Sequence, residues 1–150
     1  MKDLSRSKMN RKIKDAPRII WFCLRVFMAA LLLSALLPAI KFPRLLKIIH
    51  YRQTAAPEKR IDSQDIIRIV NFVARLKYFV IRNNCLKKSL LLYYFLGKTG
   101  LKNLELVIGV KKNTGRLSGH SWLALDSRPF LEDWDSIKEF QIIYSSGARK

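Results

Sequence analysis

A cysteine and a histidine in the second half of the chain have the types and placement that nucleophilic catalysis needs. Cys85 opens a predicted helix, where the helix dipole and the nearby Lys87 and Lys88 favour the thiolate, which is the nucleophilic form. His120, one of two histidines, opens a predicted strand, and an imidazole is the usual base for activating a thiol. Each residue alone also suits a purely structural role, so it is their combination that indicates chemistry.

A third group must orient the imidazole by accepting a hydrogen bond from its other nitrogen. Asp126-Ser127 can form a two-residue hairpin turn, which brings the following strand back beside His120. With that turn, residue 120 lies opposite about residue 133, so the pairing favours Asp133 as the orienting carboxylate. A slip of one residue in register would favour Glu132 instead.

Two helices come first in the predicted domain. Asp62 or Ser63 caps an amphipathic helix that we expect to end near residues 82–84. Its apolar positions recur at helical spacing along one face, at Ile66, Ile67, Val70, Val73, Ala74 and Tyr78. A second helix begins at Cys85 and ends near Gly97, with Gly100 closing the turn beyond it.

The hydrophobic period then changes from that of a helix to that of a strand. We predict strands over residues 104–110, 120–125 and 128–134, with residues 113–115 as a loop. Helices followed by an antiparallel sheet define an α+β domain.

We divide the chain into a basic flexible tail (1–18), a hydrophobic and amphipathic helical segment (19–50), a linker (51–60), the catalytic domain (61–144) and a flexible tail (145–150).

The charge of the chain is strongly positive and unevenly distributed. There are 29 Lys and Arg against 11 Asp and Glu, a net charge of +18, and residues 1–60 hold 14 of the basic residues but only three acids. Such a field attracts nucleic acid, an anionic membrane or an acidic protein. Because the basic residues are not clustered with aromatic residues that could stack on bases, we expect no nucleic-acid partner.

The cysteines indicate where the protein works. Cys23 and Cys85 have different settings, and one disulfide would be a poor framework for a chain of this size, so we interpret both as free thiols in the reducing cytoplasm. There is no closely spaced group of cysteines and histidines, so we expect neither a zinc site nor any other metal or cofactor.

The apolar run near the amino terminus raises the question of a membrane. The uncharged part, residues 26–40, is 15 residues long, between the length of a buried helix and the roughly 20 residues of a bilayer span. The pattern favours a helix docked on the domain, on a partner or on a membrane surface over one that crosses the bilayer. We therefore expect a cytoplasmic protein, with membrane-surface association through residues 19–50.

Several of these segments together resemble a known group of enzymes. The segments are the helix that begins Cys85-Leu-Lys-Lys-Ser, the strand Leu-Val-Ile-Gly-Val over residues 106–110, the sequence His120-Ser-Trp-Leu, and Arg-Pro-Phe-Leu-Glu-Asp over residues 128–133. In this order they are similar to the leader peptidases of lasso-peptide biosynthesis, the transglutaminase-like B proteins that process microcin-type precursors. The apolar opening helix resembles that of the short, stand-alone form of these proteins.

The resemblance implies a transglutaminase-like (papain-like) core and a cysteine peptidase. It implies Cys85 as nucleophile, His120 as general base and acid, and Asp133 as the orienting carboxylate. The reaction it implies is removal of the leader peptide from a ribosomally made precursor, upstream of a lasso cyclase. The implied partners are the precursor leader, a separate leader-recognition protein and the cyclase. The chain departs from the family pattern at Ser121, where alanine is usual, at Ala124, where glutamate is usual, and at Ser127 in the turn, where glycine is common.

Two other functions suit the same sequence. The same three residues could transfer the acyl group to an amine, as transglutaminases do, instead of to water. The apolar run and the +18 charge also suit a basic, membrane-associated module without catalysis.

Overall fold

The computed structural model describes residues 2–55, 61–76, 85–113 and 115–147, with side chains for most of them from residue 17 onwards. The predicted α+β class is confirmed, because helices precede a small antiparallel sheet. In chain order the elements are α1 Lys2–Ala39, α2 Phe42–Ala55, α3 Ser63–Arg75, α4 Cys85–Gly97, β1 Leu104–Asn113, β2 Arg116–Leu125, β3 Arg128–Phe130, α5 Trp134–Ile137 and β4 Gln141–Ser145.

The amino-terminal part of the chain is more helical than the sequence predicted. Helix α1 begins at Lys2, so the described part of the predicted basic tail over residues 1–18 is helical; this part is rich in helix-forming Lys and Arg and contains no glycine. Helix α2 continues to Ala55, so the first half of the predicted linker 51–60 is helical. Residues 56–60 lie outside the described residues.

Helices α3 and α4 agree with the sequence pattern. Asp62 is at the capping position before α3, although its side chain makes no capping hydrogen bond, and Ile66, Val70 and Val73 are the buried members of the apolar face. This helix ends at Arg75; the predicted end near residues 82–84 and the contribution of residue 78 lie outside the described residues.

The end of α4 is also as predicted. Helix α4 ends at Gly97, and Gly100 closes the following turn with a φ of +85°, a conformation that glycine adopts without steric cost.

The sheet has the strand order β3-β2-β1-β4 and is antiparallel throughout. Asp126 and Ser127 both have positive φ, +50° and +63°, as a two-residue hairpin turn of the primed type requires. The pairs Leu125–Arg128 and Leu123–Phe130 then fix the register that the sequence predicted.

The returning strand is shorter than predicted. β3 ends at Phe130, because Leu131 adopts a φ of +66° that turns the chain out of the sheet, and Trp134 begins the short helix α5. The prediction of a strand over residues 128–134 is therefore wrong beyond Phe130.

The carboxyl-terminal part of the described chain adds a fourth strand that the sequence analysis missed. Strand β4 pairs with β1, and the amide of Ser146 donates to the carbonyl of Leu106 at 3.0 Å. The first residues of the predicted tail from residue 145 therefore join the sheet, because Ser145 pairs with Val107 and Ser146 bonds to Leu106 of β1. Residues 148–150 lie outside the described residues.

Two apolar clusters cover the two faces of the sheet. The larger one joins α1, α2, α3 and α4 to one face of the sheet, where Leu106 and Leu123 are its buried members. The smaller one lies on the other face and contains Val107, Trp122, Ala124, Ile137 and Phe140. Alternate residues of β2 therefore face different layers, as the period of a strand requires.

Helix α1 combines two properties. By length and composition its segment Pro17–Ala39, 23 residues that include an 18-residue stretch with a mean hydropathy of 2.3, is one that could cross a bilayer. One side of the same segment is nevertheless buried in the domain, at Phe22, Val26, Ala30 and Leu33.

Candidate active site

The cysteine side of the candidate site is the first turn of α4. Helix α4 begins at Cys85, whose free thiol is half-buried. From Ser89 onwards most side chains of the helix are apolar and buried, and their packing fixes the position of α4 against the sheet. Lys87, which the sequence analysis placed near the thiol, has its ammonium engaged elsewhere: Nζ donates to Oγ of Ser34 on α1 at 3.1 Å.

The histidine side is strand β2 and its aromatic surroundings. The ring of His120 stacks on Trp122, with centroids 6.0 Å apart and an interplanar angle of 22°, and contacts Phe140 at 5.4 Å. Both aromatic residues belong to the smaller cluster or pack against it. His120 is therefore held by rings on two sides, which limits the orientations that its imidazole can adopt.

Gly109 of β1 makes room for this aromatic arrangement. It is the cross-strand partner of His120. A Cβ at this position would lie 2.9 Å from Cβ of Phe140 and 2.9 Å from the ring of Trp122, closer than real Cβ contacts allow. Glycine is thus required here by the close approach of the two rings rather than by backbone conformation.

The carboxylate nearest to the imidazole belongs to Glu132. Its Oε2 lies 4.0 Å from Nε2 of His120, a separation at which the two groups form an ion pair once the imidazole is protonated. Both side chains are about one quarter exposed, 26% for His120 and 28% for Glu132, so solvent screens this pair only in part.

Asp133, the acid that the hairpin register favoured, lies at a different kind of position. It immediately precedes α5, its side chain caps no amide of that helix, and no hydrogen bond or ion pair joins it to His120 within the described chain. The reason is the turn at Leu131: the register has not slipped, but the strand ends before residue 133 can pair with residue 120.

A buried pair of serines connects the two sides of the site. Oγ of Ser89 donates to the carbonyl oxygen of Ser121 at 2.9 Å, and the Ser121 hydroxyl lies 3.4 Å from Oγ of Ser89. Ser89 is one helical turn after Cys85, and Ser121 follows His120. Among the described residues no hydrogen bond joins the thiol of Cys85 to His120; their two elements are held together by the serine pair and by apolar packing. Along β2, His120 packs with Trp122 and Phe140, whereas Ser121 faces α4, so the structure does not bring the imidazole and the thiol into direct contact.

The sequence analysis missed three residues that shape this site: Ser89, Gly109 and Phe140. Two of them carry a signal in the sequence. A serine in an otherwise apolar helix must find a partner when it is buried, and a glycine inside a strand indicates a close approach of neighbouring groups. Phe140 carries no such signal, because its contact with His120 depends on how the chain turns at α5.

Neither of two grooves found elsewhere in the domain is at this site. One is lined by Pro43, His50, Tyr93 and Tyr144, the other by Tyr93, Glu105 and Asp126, among others. Tyr93 is two helical turns from Cys85, so both grooves lie towards the far end of α4. In the described part of the chain no group of three His, Cys, Asp or Glu side chains could hold a metal ion.

Comparison with known families agrees with this architecture. The family model described as "Transglutaminase-like superfamily" matches residues 9–145, so it includes the amino-terminal helices as well as the sheet. Searches of curated proteins and of solved structures gave no match. Members of this superfamily are typically cysteine peptidases or acyltransferases. With the family model covering nearly the whole sequence, the chain belongs to the transglutaminase-like superfamily.

Proposed function

We propose that this protein is a cysteine peptidase that removes the leader peptide from a ribosomally synthesised lasso-peptide precursor. It would act with a separate leader-recognition protein and upstream of the lasso cyclase, in the cytoplasm. The observation that carries the catalytic part is the position of His120, whose Nε2 lies 4.0 Å from the carboxylate of Glu132. His120 is on the strand that is hydrogen-bonded through Ser121 to the helix of Cys85. The substrate is inferred from the resemblance of the motifs around Cys85, His120 and residues 128–133 to lasso leader peptidases.

In the proposed mechanism Cys85 is the nucleophile and His120 the base. The imidazole takes the proton of the thiol, and Sγ forms a bond to the scissile carbonyl carbon. The resulting oxyanion accepts a hydrogen bond from the backbone amide of Cys85, because amides in the first turn of a helix have no intrahelical partner.

Collapse of this intermediate breaks the C–N bond. The imidazolium gives its proton to the leaving amine, which is the new amino terminus of the core peptide. Water, deprotonated by His120, then attacks the thioester; the C–S bond breaks, the imidazolium returns its proton to Sγ, and the leader leaves as a carboxylate. If an amine replaced the water, the same thioester would give acyl transfer, which is the alternative activity of this superfamily.

The role of the carboxylate is to hold the imidazole in one tautomer and to stabilise the imidazolium. Glu132 supports this role by distance, whereas Asp133 is favoured by the hairpin register and by the family motif. We assign the role to Glu132, because an orienting group acts through its proximity to the imidazole.

The direct test uses a precursor peptide, the separate leader-recognition protein and this protein, with products identified by mass. We expect one cleavage by the wild type. The variants Cys85→Ala and His120→Ala should each lower the rate by about 10³-fold or more, because they remove the nucleophile or its base.

The chain supplies its own matched controls. Cys23, on α1, and His50, on α2, are the other cysteine and histidine, so Cys23→Ala and His50→Ala should cut at the wild-type rate. Equal cleavage by Cys85→Ala would exclude the mechanism, and an amine-linked product in place of the free leader would identify an acyltransferase.

A further inference from the structure

Helix α1 is apolar on two opposite sides, but the domain covers one of them. The buried side carries Phe22, Val26, Ala30 and Leu33. At 100° per residue, the exposed side lies directly opposite. Its members are exposed by 38–69%, and they are Ile20, Trp21, Leu24, Met28, Leu31 and Leu32. A continuous apolar surface of this kind on a folded domain indicates an interaction surface.

The charges near this surface are of one sign. Residues 16–57 contain no Asp or Glu. Lys41, Arg44 and Lys47 are exposed at the junction of α1 and α2, directly after the apolar surface, and Ile48 beside them is 49% exposed. An apolar helix face bordered by exposed cations complements the interface of a membrane that contains acidic lipids. The apolar side chains can enter the acyl-chain region while the cations contact the anionic headgroups.

The packing of α1 distinguishes a helix that lies on a membrane from one that crosses it. The buried side contacts the domain core from Phe22 to Leu33, and so extends along about half of the segment that a bilayer would have to surround. Near its end, Nζ of Lys87 donates to Oγ of Ser34 at 3.1 Å, which sets an ammonium group beside the apolar segment. Crossing a bilayer would require α1 to leave α3 and α4 and to expose their apolar faces.

We propose that the outward face of α1 binds the surface of an anionic membrane, with the helix lying in the plane of the interface and the domain still packed on its other side. This inference rests on the exposure and charge around α1 and does not depend on the reaction proposed above. It would hold the protein at the inner surface of the cell membrane without a transmembrane anchor.

The test uses the full chain and sedimentation with vesicles. We expect binding to vesicles of phosphatidylcholine and phosphatidylglycerol, and much weaker binding to phosphatidylcholine alone or at high salt. The double variant Leu24→Gln/Met28→Gln should lose binding, whereas Ile142→Gln/Ile143→Gln should retain it, because those residues are equally exposed, at 59% and 61%, but lie on β4. Replacing Lys41, Arg44 and Lys47 by Gln should weaken binding by about fivefold for each charge removed.

Trp21, which is 62% exposed, reports the geometry of the bound state. Lipids brominated near the headgroup should quench its fluorescence more than lipids brominated deep in the chain, and Trp21→Phe should remove this quenching without removing binding. All variants change exposed residues and should keep the wild-type circular dichroism.

Three results would overturn the proposal. The first is no binding of the wild type to anionic vesicles, and the second is equal binding of Leu24→Gln/Met28→Gln. The third is stronger quenching of Trp21 by lipids brominated deep in the chain, together with protein that stays on the vesicles after alkaline extraction, which would indicate a helix that spans the bilayer. If the double variant instead lost a complex with the purified leader-recognition protein while the wild type ignored vesicles, the surface would be a protein-docking site.

Discussion

The hydroxyl of Ser89 donates a hydrogen bond of 2.9 Å to the carbonyl oxygen of Ser121, and both residues are buried. Ser89 lies on the helix that begins at Cys85, and Ser121 directly follows His120. The bond therefore fixes the helix of the proposed nucleophile against the strand of the proposed base. The hydroxyl of Ser121 makes a separate, longer contact, 3.4 Å from Oγ of Ser89.

We expect Ser89→Ala to destabilise the protein by about 1–3 kcal/mol, because a buried carbonyl loses its side-chain donor. The matched control is Ser121→Ala, which removes only the long 3.4 Å contact and leaves the 2.9 Å bond in place, so a loss of about 0.5 kcal/mol or less is expected. Urea unfolding followed by circular dichroism measures both. Equal losses for the two variants would show that the bond to the carbonyl is not what fixes the helix.

The two candidate acids can be separated by amide substitutions. Glu132→Gln should lower kcat by about 10²- to 10⁴-fold with little change in KM, since the imidazole loses the carboxylate that orients it. Asp133→Asn, one residue away, should retain activity within about threefold. Peptide cleavage followed by mass measures both variants, and unchanged melting temperatures would exclude unfolding as the cause. The opposite order of effects would assign the role to Asp133.

These two acids also show how far the sequence could predict the site. The hairpin turn at Asp126-Ser127 and its register are determined locally, by turn geometry and strand alternation, and both predictions are confirmed. What the sequence did not indicate is that Leu131 adopts a left-handed conformation and ends the strand. Unlike the residues of the two-residue turn, Leu131 lies in no local motif that requires this conformation, so the surrounding structure must impose it and a pattern of neighbouring residues cannot predict it.

The helices show the same contrast. The face of α3 that holds Ile66, Val70 and Val73 follows directly from helical spacing. The start of α1 at Lys2 does not, because a basic, polar sequence has no apolar period from which a helix can be predicted. Strand β4 was missed for another reason: its residues Ile142 and Ile143 are exposed, and its pairing partner β1 is distant in sequence.

Gly109→Ala should be destabilising although the site is in a strand, where alanine is normally preferred to glycine. The added methyl group would meet Phe140 and Trp122 at 2.9 Å, and relieving that overlap costs about 1–3 kcal/mol. It should also lower the cleavage rate, because His120 packs on both rings. Gly119→Ala, on the neighbouring strand with no atom within 4 Å of the new methyl group, is the control and should be neutral or slightly stabilising. Chemical denaturation compares the two, and a harmless Gly109→Ala would contradict the packing argument.

Tyr144 should make the stability of the fold sensitive to alkaline pH. Burial, and secondarily the neighbouring Tyr93, raise the pKa of Tyr144 above its ordinary value of 10.0. A raised pKa means that the folded state holds this proton more tightly than the unfolded state. The resulting stabilisation is complete below pH 10 and is lost as the pH rises through the folded-state value.

Phenolate absorbance on alkaline titration and the midpoint of urea unfolding between pH 9 and 11.5 measure this effect. Tyr144→Phe should make the fall in stability above pH 10 shallower. An identical pH dependence in the variant would show that other groups cause it.

The order of the strands has a consequence for the synthesis of the protein. Phe140, which packs against the ring of His120, and β4, which pairs with β1, both come after the hairpin in sequence. When the segment with Cys85 and His120 leaves the ribosome, Phe140 and β4 are still inside it, so they cannot yet pack against the ring of His120 or pair with β1. The newly made chain thus exposes Cys85 and His120 before the aromatic packing around His120 can form. The candidate site is complete only after the residues that follow the hairpin have joined the sheet.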